Sequence, residues 1–173
     1  MTPPSSPPPN RSSQTALVGE WGEQLVCRWL QQHQWQILAR RWHCRWGEID
    51  IIARPLPQSD HPAQTDRLAF VEVKTRRSRN WDGDGRFAVT SQKQRKLWKT
   101  AQLFLSQNSE LWELPCQFDV ALVQCNPIKK ASLTPSLDIT PILQQTQLSL
   151  HQPISLGNYQ ISLLDYIESA FAL

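Results

Sequence analysis

Between positions 16 and 32 the apolar residues Val18, Trp21, Gly22, Leu25, Val26, Trp29 and Leu30 recur at three- and four-residue spacing, with Glu20, Glu23 and Gln24 off the stripe. That period predicts an amphipathic helix with its charged residues on a polar face. The period then changes. Residues 35–42 (WQILARRW) and 47–53 (GEIDIIA) read as extended segments, and the short link HCRWG between them predicts an antiparallel hairpin. A proline-rich loop follows, then a strand over 68–74 and a second loop, SRNWDGDGRF. Ser91 and Gln94 have the spacing of a capping box, so a second helix is expected to start near Ser91 and to bury Leu97, Ala101, Phe104 and Leu105. Residues 117–124 (QFDVALVQ) read as another strand. Beyond it, residues 126–150 show no clear period, ISLGNYQISL predicts a hairpin turning at Gly157 and Asn158, and LLDYIESAFAL predicts a short terminal helix.

The order of helix, three strands, helix and strand places the chain in the α/β class. Its 173 residues, 40% of them hydrophobic, suit one globular domain. The first nine positions hold five of the thirteen prolines and no apolar run, so residues 1–14 read as a disordered Pro/Ser-rich tail and not as a signal peptide. The core then covers 15–125, and 126–173 form a C-terminal extension packed on it. No segment is long and apolar enough for a membrane helix. The four cysteines include no C-x-x-C pair, which argues against a zinc site and for reduced thiols in a cytoplasmic protein.

Charge is distributed unevenly. Residues 1–99 carry a net +7 and residues 100–173 a net −4. Nine of the basic residues fall between Val71 and Lys99, a density suited to a polyanion such as nucleic acid or simply to a solvated face.

Within this basic region the run AFVEVKTRRSR sets Glu72 and Lys74 two apart in an apolar strand. Alternation turns Ala69, Val71 and Val73 to one face and Phe70, Glu72 and Lys74 to the other, so the acid and the base share a face as a salt bridge or as a site. In GEIDII, Ile49 and Ile51 are expected on one face and Glu48 and Asp50 on the other. If the two strands are neighbours, Asp50 and Glu72 meet, and two carboxylates brought together repel unless a proton or a cation intervenes. Mg²⁺ binds through one or two carboxylates with water and phosphate, which this pair in a basic surround offers. Lys74 then supplies a compact ammonium to hold an attacking water and the growing charge on a phosphate, and the reaction class is phosphodiester hydrolysis.

An acid in the first helix, then GEID, FVEVKTR, SQKQRK at the head of a basic helix and FDVALV in a strand together resemble the YraN-like family, over about residues 19–125. This small bacterial group is related to restriction endonucleases and archaeal Holliday-junction resolvases. The resemblance implies the restriction-endonuclease-like αβββαβ core of the PD-(D/E)xK nucleases, a central mixed sheet flanked by helices. It implies Asp50 and Glu72 as ligands of Mg²⁺ or Mn²⁺, Lys74 as the catalytic lysine, and Glu23 in WGEQL as a further catalytic acid. Ile49 stands where the superfamily has its proline. The implied activity is that of a metal-dependent endonuclease on branched or damaged DNA, working as a homodimer. The rival is a catalytically inactive nucleic-acid-binding module of the same fold that assists repair or recombination.

Arg76 and Arg77, leaving the strand of Glu72, and Lys93, Arg95 and Lys96 at the start of the second helix are the candidate phosphate contacts. Trp46 and Trp81 are candidates for stacking on bases, and Asp119 for a structural hydrogen bond.

Overall fold

The computed structural model describes residues 11–57, 66–77, 89–128 and 138–172. The chain runs α1 (Arg11–Gln32), β1 (Trp35–Cys44), β2 (Gly47–Pro55), β3 (Leu68–Arg76), α2 (Ser91–Gln107), a 3-10 turn at Ser109–Leu111, β4 (Cys116–Pro127), α3 (Thr140–Gln145), β5 (Ile154–Leu156) and β6 (Tyr159–Phe171). The six strands form one mixed sheet in the order β1-β2-β3-β4-β6-β5. Only β3 and β4 run parallel, joined through α2; the other neighbours are antiparallel. This is the expected α/β architecture. No helix among the described residues is long and apolar enough to cross a membrane.

The sheet is buried on both sides. Trp21, Leu25, Val26 and Leu30 of α1 pack on Ile51, Ala53, Ala69, Val71, Ala121 and Val123, with Ile139 and Leu143 around α3 completing that layer. On the opposite face Leu97, Ala101 and Phe104 of α2 pack on Ile49, Ile52, Phe70, Phe118 and Val120. The alternation read along β3 is therefore correct: Ala69 and Val71 face α1, whereas Phe70 faces α2. A strand buried on both faces reads as a continuous apolar run, which is why Glu72 stands out in it.

Three local expectations are corrected. The helix cap of α2 is Thr90, whose Oγ1 accepts the Lys93 N–H at 3.3 Å; Ser91 is the first helical residue, and Gln94 instead donates through Nε2 to the Val89 carbonyl. Residues 163–173 contain no helix among those described. Leu163 to Phe171 belong to β6, which covers the far side of β4. The apolar spacing that imitates a helix comes from two register shifts against β4, between Leu122 and Val123 and between Phe118 and Val120. Each extra residue changes the phase of the alternation, so Leu164, Ile167 and Phe171 all reach the α2 side. The hairpin at Gly157 and Asn158 is present, with Gly157 at φ +59°. Finally, α1 already begins at Arg11, inside the segment read as a tail.

One contact sets how closely α1 lies on the sheet. A Cβ at Gly22 would stand 2.0 Å from Thr75 Oγ1 and 3.2 Å from Thr75 Cβ. Glycine costs a helix interior about 1 kcal/mol relative to alanine, so its presence on the apolar stripe reflects this approach. For Gly22→Ala the propensity gain of about 1 kcal/mol opposes an overpacking cost of about 1–3 kcal/mol. The expected net result is destabilisation by about 1 kcal/mol in denaturant melts, largely relieved when Thr75→Ala is added, since the double variant keeps the gain, loses the 2.0 Å contact with Oγ1 and retains only the 3.2 Å approach to Cβ.

Candidate active site

β2 and β3 pair only through Ile51↔Val71, Ile52↔Phe70 and Ala53↔Ala69. Beyond Ile51 the ladder stops, and a backbone donor left there without a strand partner needs another acceptor. Asp50 supplies it, its Oδ2 accepting the Val73 N–H at 2.7 Å. The aspartate, a poor strand former, thus sits where the two strands part and fixes the gap between them. Side-chain phase also changes at this point. Ile49 and Ile51 do not share a face as expected: Ile49 joins Ile52 under α2, and Ile51 lies under α1. The residue of β1 lying between the partners of Ile49 and Ile51 is Arg41, which has φ +49°.

Into this gap open Asp50 and Glu48 of β2, Glu72, Lys74, Arg76 and Arg77 on and just after β3, Glu23 of α1 and Lys93 of α2, around a cavity of about 620 Å³. Glu72 is only 3% exposed. Its Oε1 accepts from Lys74 Nζ at 2.5 Å, and its Oε2 lies 3.0 Å from Lys93 Nζ. The second pair is a charge contact without hydrogen-bond geometry, so Oε2 has no hydrogen-bond donor. The two readings of Glu72 and Lys74, salt bridge and site, are therefore not exclusive.

Glu23 is not on a solvated face. It is 8% exposed and points into the cavity, with Oε2 3.6 Å from Arg41 Nε and no hydrogen bond to that oxygen. Burial raises its pKa, against the lowering influence of Arg41 and Arg40. For Asp50, burial first and the Glu72 charge second raise the pKa to about 7, despite the Val73 N–H. Both effects oppose the ionised form, as expected for carboxylates crowded in a poorly solvated gap.

Among the described residues no group of three or more His, Cys, Asp or Glu side chains is assembled to hold a metal ion. The donor chemistry nevertheless fits a hard cation of the Mg²⁺ type, which needs only one or two carboxylates and fills its other positions with water or phosphate. Asp50 and Glu72 are the residues that could hold it, Glu72 by turning an oxygen away from its lysines.

The other candidates divide. Arg76, Arg77 and Lys93 line the cavity; Arg95 and Lys96 are exposed on α2 and do not. Helical geometry explains this, because Lys93 shares the sheet-facing side with Leu97 while Arg95 and Lys96 are turned from it. Trp46 is 41% exposed at the β1–β2 turn, away from the cavity, with Arg45 and Lys99 each 4.8 Å from its ring centroid. Trp81 lies outside the described residues. Asp119 is fully buried under hydrogen bonds from Tyr166 Oη, Gln117 Nε2 and the Ser169 N–H at 2.7–3.0 Å, a structural role that ties β6 to β4. The sequence reading missed Glu48, Arg41 and Thr75; the glycine in the helical stripe was the available signal for the last.

Residues 22–123, from Gly22 to the strand β4, match the uncharacterised protein family UPF0102. The chain belongs to the UPF0102 family. This is the group that the sequence resembles under the heading YraN-like. A UPF0102 protein of Acaryochloris marina is 61% identical over 176 residues, covering 100% of both chains. UPF0102 proteins of Trichodesmium erythraeum and Trichormus variabilis are 47% and 43% identical, covering 93% and 89% of this chain and 92% and 93% of theirs. The matched family span contains Glu23, Asp50, Glu72 and Lys74 and stops short of β5 and β6.

A carboxyl group whose folded pKa lies above its unfolded value weakens the fold as pH climbs from the lower value to the higher, because the unfolded chain ionises first. For Asp50 that window runs from the ordinary 3.8 to about 7. Asp50→Asn keeps an acceptor for Val73 and removes the charge. In metal-free buffer the variant should gain stability over the parent between those limits, by at most about 4 kcal/mol, with a constant difference above pH 8. Thermal melts from pH 4 to 9 check this; a difference independent of pH would contradict it.

Proposed function

We propose that this UPF0102 protein is a metal-dependent nuclease-like protein that hydrolyses phosphodiesters in DNA, of branched or damaged form. The observation that carries the reading is the single cavity shared by Asp50, Glu72, Lys74 and Glu23, with Arg76, Arg77 and Lys93 on its walls. Three half-buried or buried acids need positive charge, and a phosphate brought among them needs it as well.

In this reading Asp50 and Glu72 hold Mg²⁺ or Mn²⁺. When bound, such an ion supplies Lewis acidity toward phosphoryl oxygens and acidifies a water for attack. The chain's own part is an exchange of partners. Glu72 is now neutralised by Lys74 and Lys93. Turning Glu72 toward a cation releases both ammonium groups, Lys74 to the attacking water and the charge growing on the phosphate, Lys93 to a neighbouring phosphate oxygen. Arg76 and Arg77 extend the anion track beyond the end of β3. Glu23, kept largely from solvent and raised in pKa, is suited to accept or return a proton at the cavity wall. A homodimer, by analogy with resolvases, and a reducing cytoplasm, suited to free thiols at Cys27, Cys44, Cys116 and Cys125, belong to the same reading.

The non-cleaving module has one observation in its favour: Glu72 is clasped by two lysines, and no three-donor cluster stands ready among the described residues. Incubating the protein with linear, single-stranded, flapped and four-way DNA, with and without Mg²⁺ or Mn²⁺, separates the two. The enzyme requires metal-dependent cutting that falls roughly 100-fold or more in Lys74→Ala. Salt-sensitive binding with no product under any condition would establish the module instead.

A further inference from the structure

A second cavity, of about 420 Å³, lies on the other side of β4 from β3 and plays no part in the reaction described above. It is lined by Gln124 and Asn126 of β4 and by Gln160, Ser162 and Leu164 of β6, with His151 and Pro153 at its margin. Leu122 and Val120 of β4 face α2, so by alternation Gln124 and Asn126 emerge on that same face of the sheet, as do Glu72, Lys74 and Arg76 on β3. The registers make the connection direct: Arg76 pairs with Gln124, Gln124 with Ser162, and Asn126 with Gln160. From Lys74 to Gln124 the distance between Cα positions is about 8 Å, one strand across and two residues along. The cavity is thus the next stop on a polar floor that begins at the candidate active site.

Its chemistry differs from that of the first cavity. Among the described residues its lining has no lysine or arginine and no carboxylate. Gln124 is 6% and Ser162 8% exposed, yet neither side chain makes a hydrogen bond among the described residues, nor do those of Asn126 and Gln160. The polar groups of a Gln that line an open cavity are satisfied by whatever fills it, so solvent there can be displaced by a ligand that offers matching donors and acceptors. The neutral donors and acceptors of Gln124 and Ser162 open into one space together with those of Asn126 and Gln160, a lining suited to a polar, uncharged ligand. Amides carry donor and acceptor side by side, which matches both groups on the edge of a nucleobase, whereas a phosphate would use their donors alone. A base in a duplex is stacked and paired, whereas an unpaired base can leave the strand and present its edge to a pocket of this size.

We infer that Gln124, Asn126, Gln160 and Ser162 form a subsite for one unpaired nucleobase, next to the phosphate that Lys74 and Arg76 receive. This deepens the proposed function and rests on it, adding a preference for strands that are single or locally opened over intact duplex.

The test compares an eight-nucleotide single strand with a strand of equal length and charge in which every base is removed. Binding is measured by fluorescence anisotropy over a range of salt, without divalent metal so that nothing is cut. The protein should bind the intact strand about tenfold more tightly than the abasic one. Gln124→Ala combined with Gln160→Ala should bind both strands alike, with an unchanged dependence on salt, because no phosphate contact is lost. Gln160 is exposed, so Gln160→Ala alone should fold normally and lose part of the preference even where the double variant is unstable. A variant that keeps the full preference, or that weakens on both strands equally, overturns the subsite. Parent protein that binds both strands equally overturns the subsite alone, and parent protein that binds neither removes the nucleic-acid reading itself.

Discussion

The structure of the site depends on the early end of the ladder between β2 and β3. Three residue pairs hold the two strands together, and past Ile51 the Asp50 carboxylate takes the place of a backbone partner for Val73. A carboxylate used in this way cannot be solvated freely, and that is the origin of its high pKa. The same parting admits Glu72 from the neighbouring strand and leaves room for Glu23 from the helix above. Had the ladder continued, Asp50 would be one more strand residue, with no reason to be an acid.

Charge balance follows from that geometry. Two lysines stand against Glu72 at contact distance, whereas Glu23 has one longer contact and Asp50 has a backbone donor. The charges that line the site are balanced in number but not in pairing, and Asp50, with no cation at contact distance among the described residues, is the carboxylate raised to about 7. Under the proposed function a cation that engages Glu72 would release Lys74 and Lys93 for an anion, so the two ligands would favour each other's binding without touching.

Much of this was legible in the sequence because the site lies on regular elements. Alternation along β3 placed Glu72 and Lys74 together, and the α-β-β-β-α-β order followed from period and turn residues. What was not legible were the places where a backbone leaves its period. The change of phase at Asp50 separated Ile49 from Ile51, and three extra residues at two places in β6 gave a strand the apolar spacing of a helix. The helical period alone put Glu23 on the polar face, and only the family resemblance marked it as a catalytic candidate, because a stripe shows which side faces the sheet but not that the sheet opens beneath its edge. Gln124 and Ser162 drew no notice, since neutral polar residues at strand ends are common and only the register brings them to one hollow.

The close approach of Gly22 to Thr75 has a consequence for the neighbouring residue in each element. Glu23 follows the glycine, and Lys74 precedes the threonine, so this close approach of helix and strand is also a fulcrum between two sides of the candidate site. Any side chain that props this joint open would widen the separation of an acid and an ammonium by the same small amount. The dimensions of the cleft are thus set by an absent methyl group.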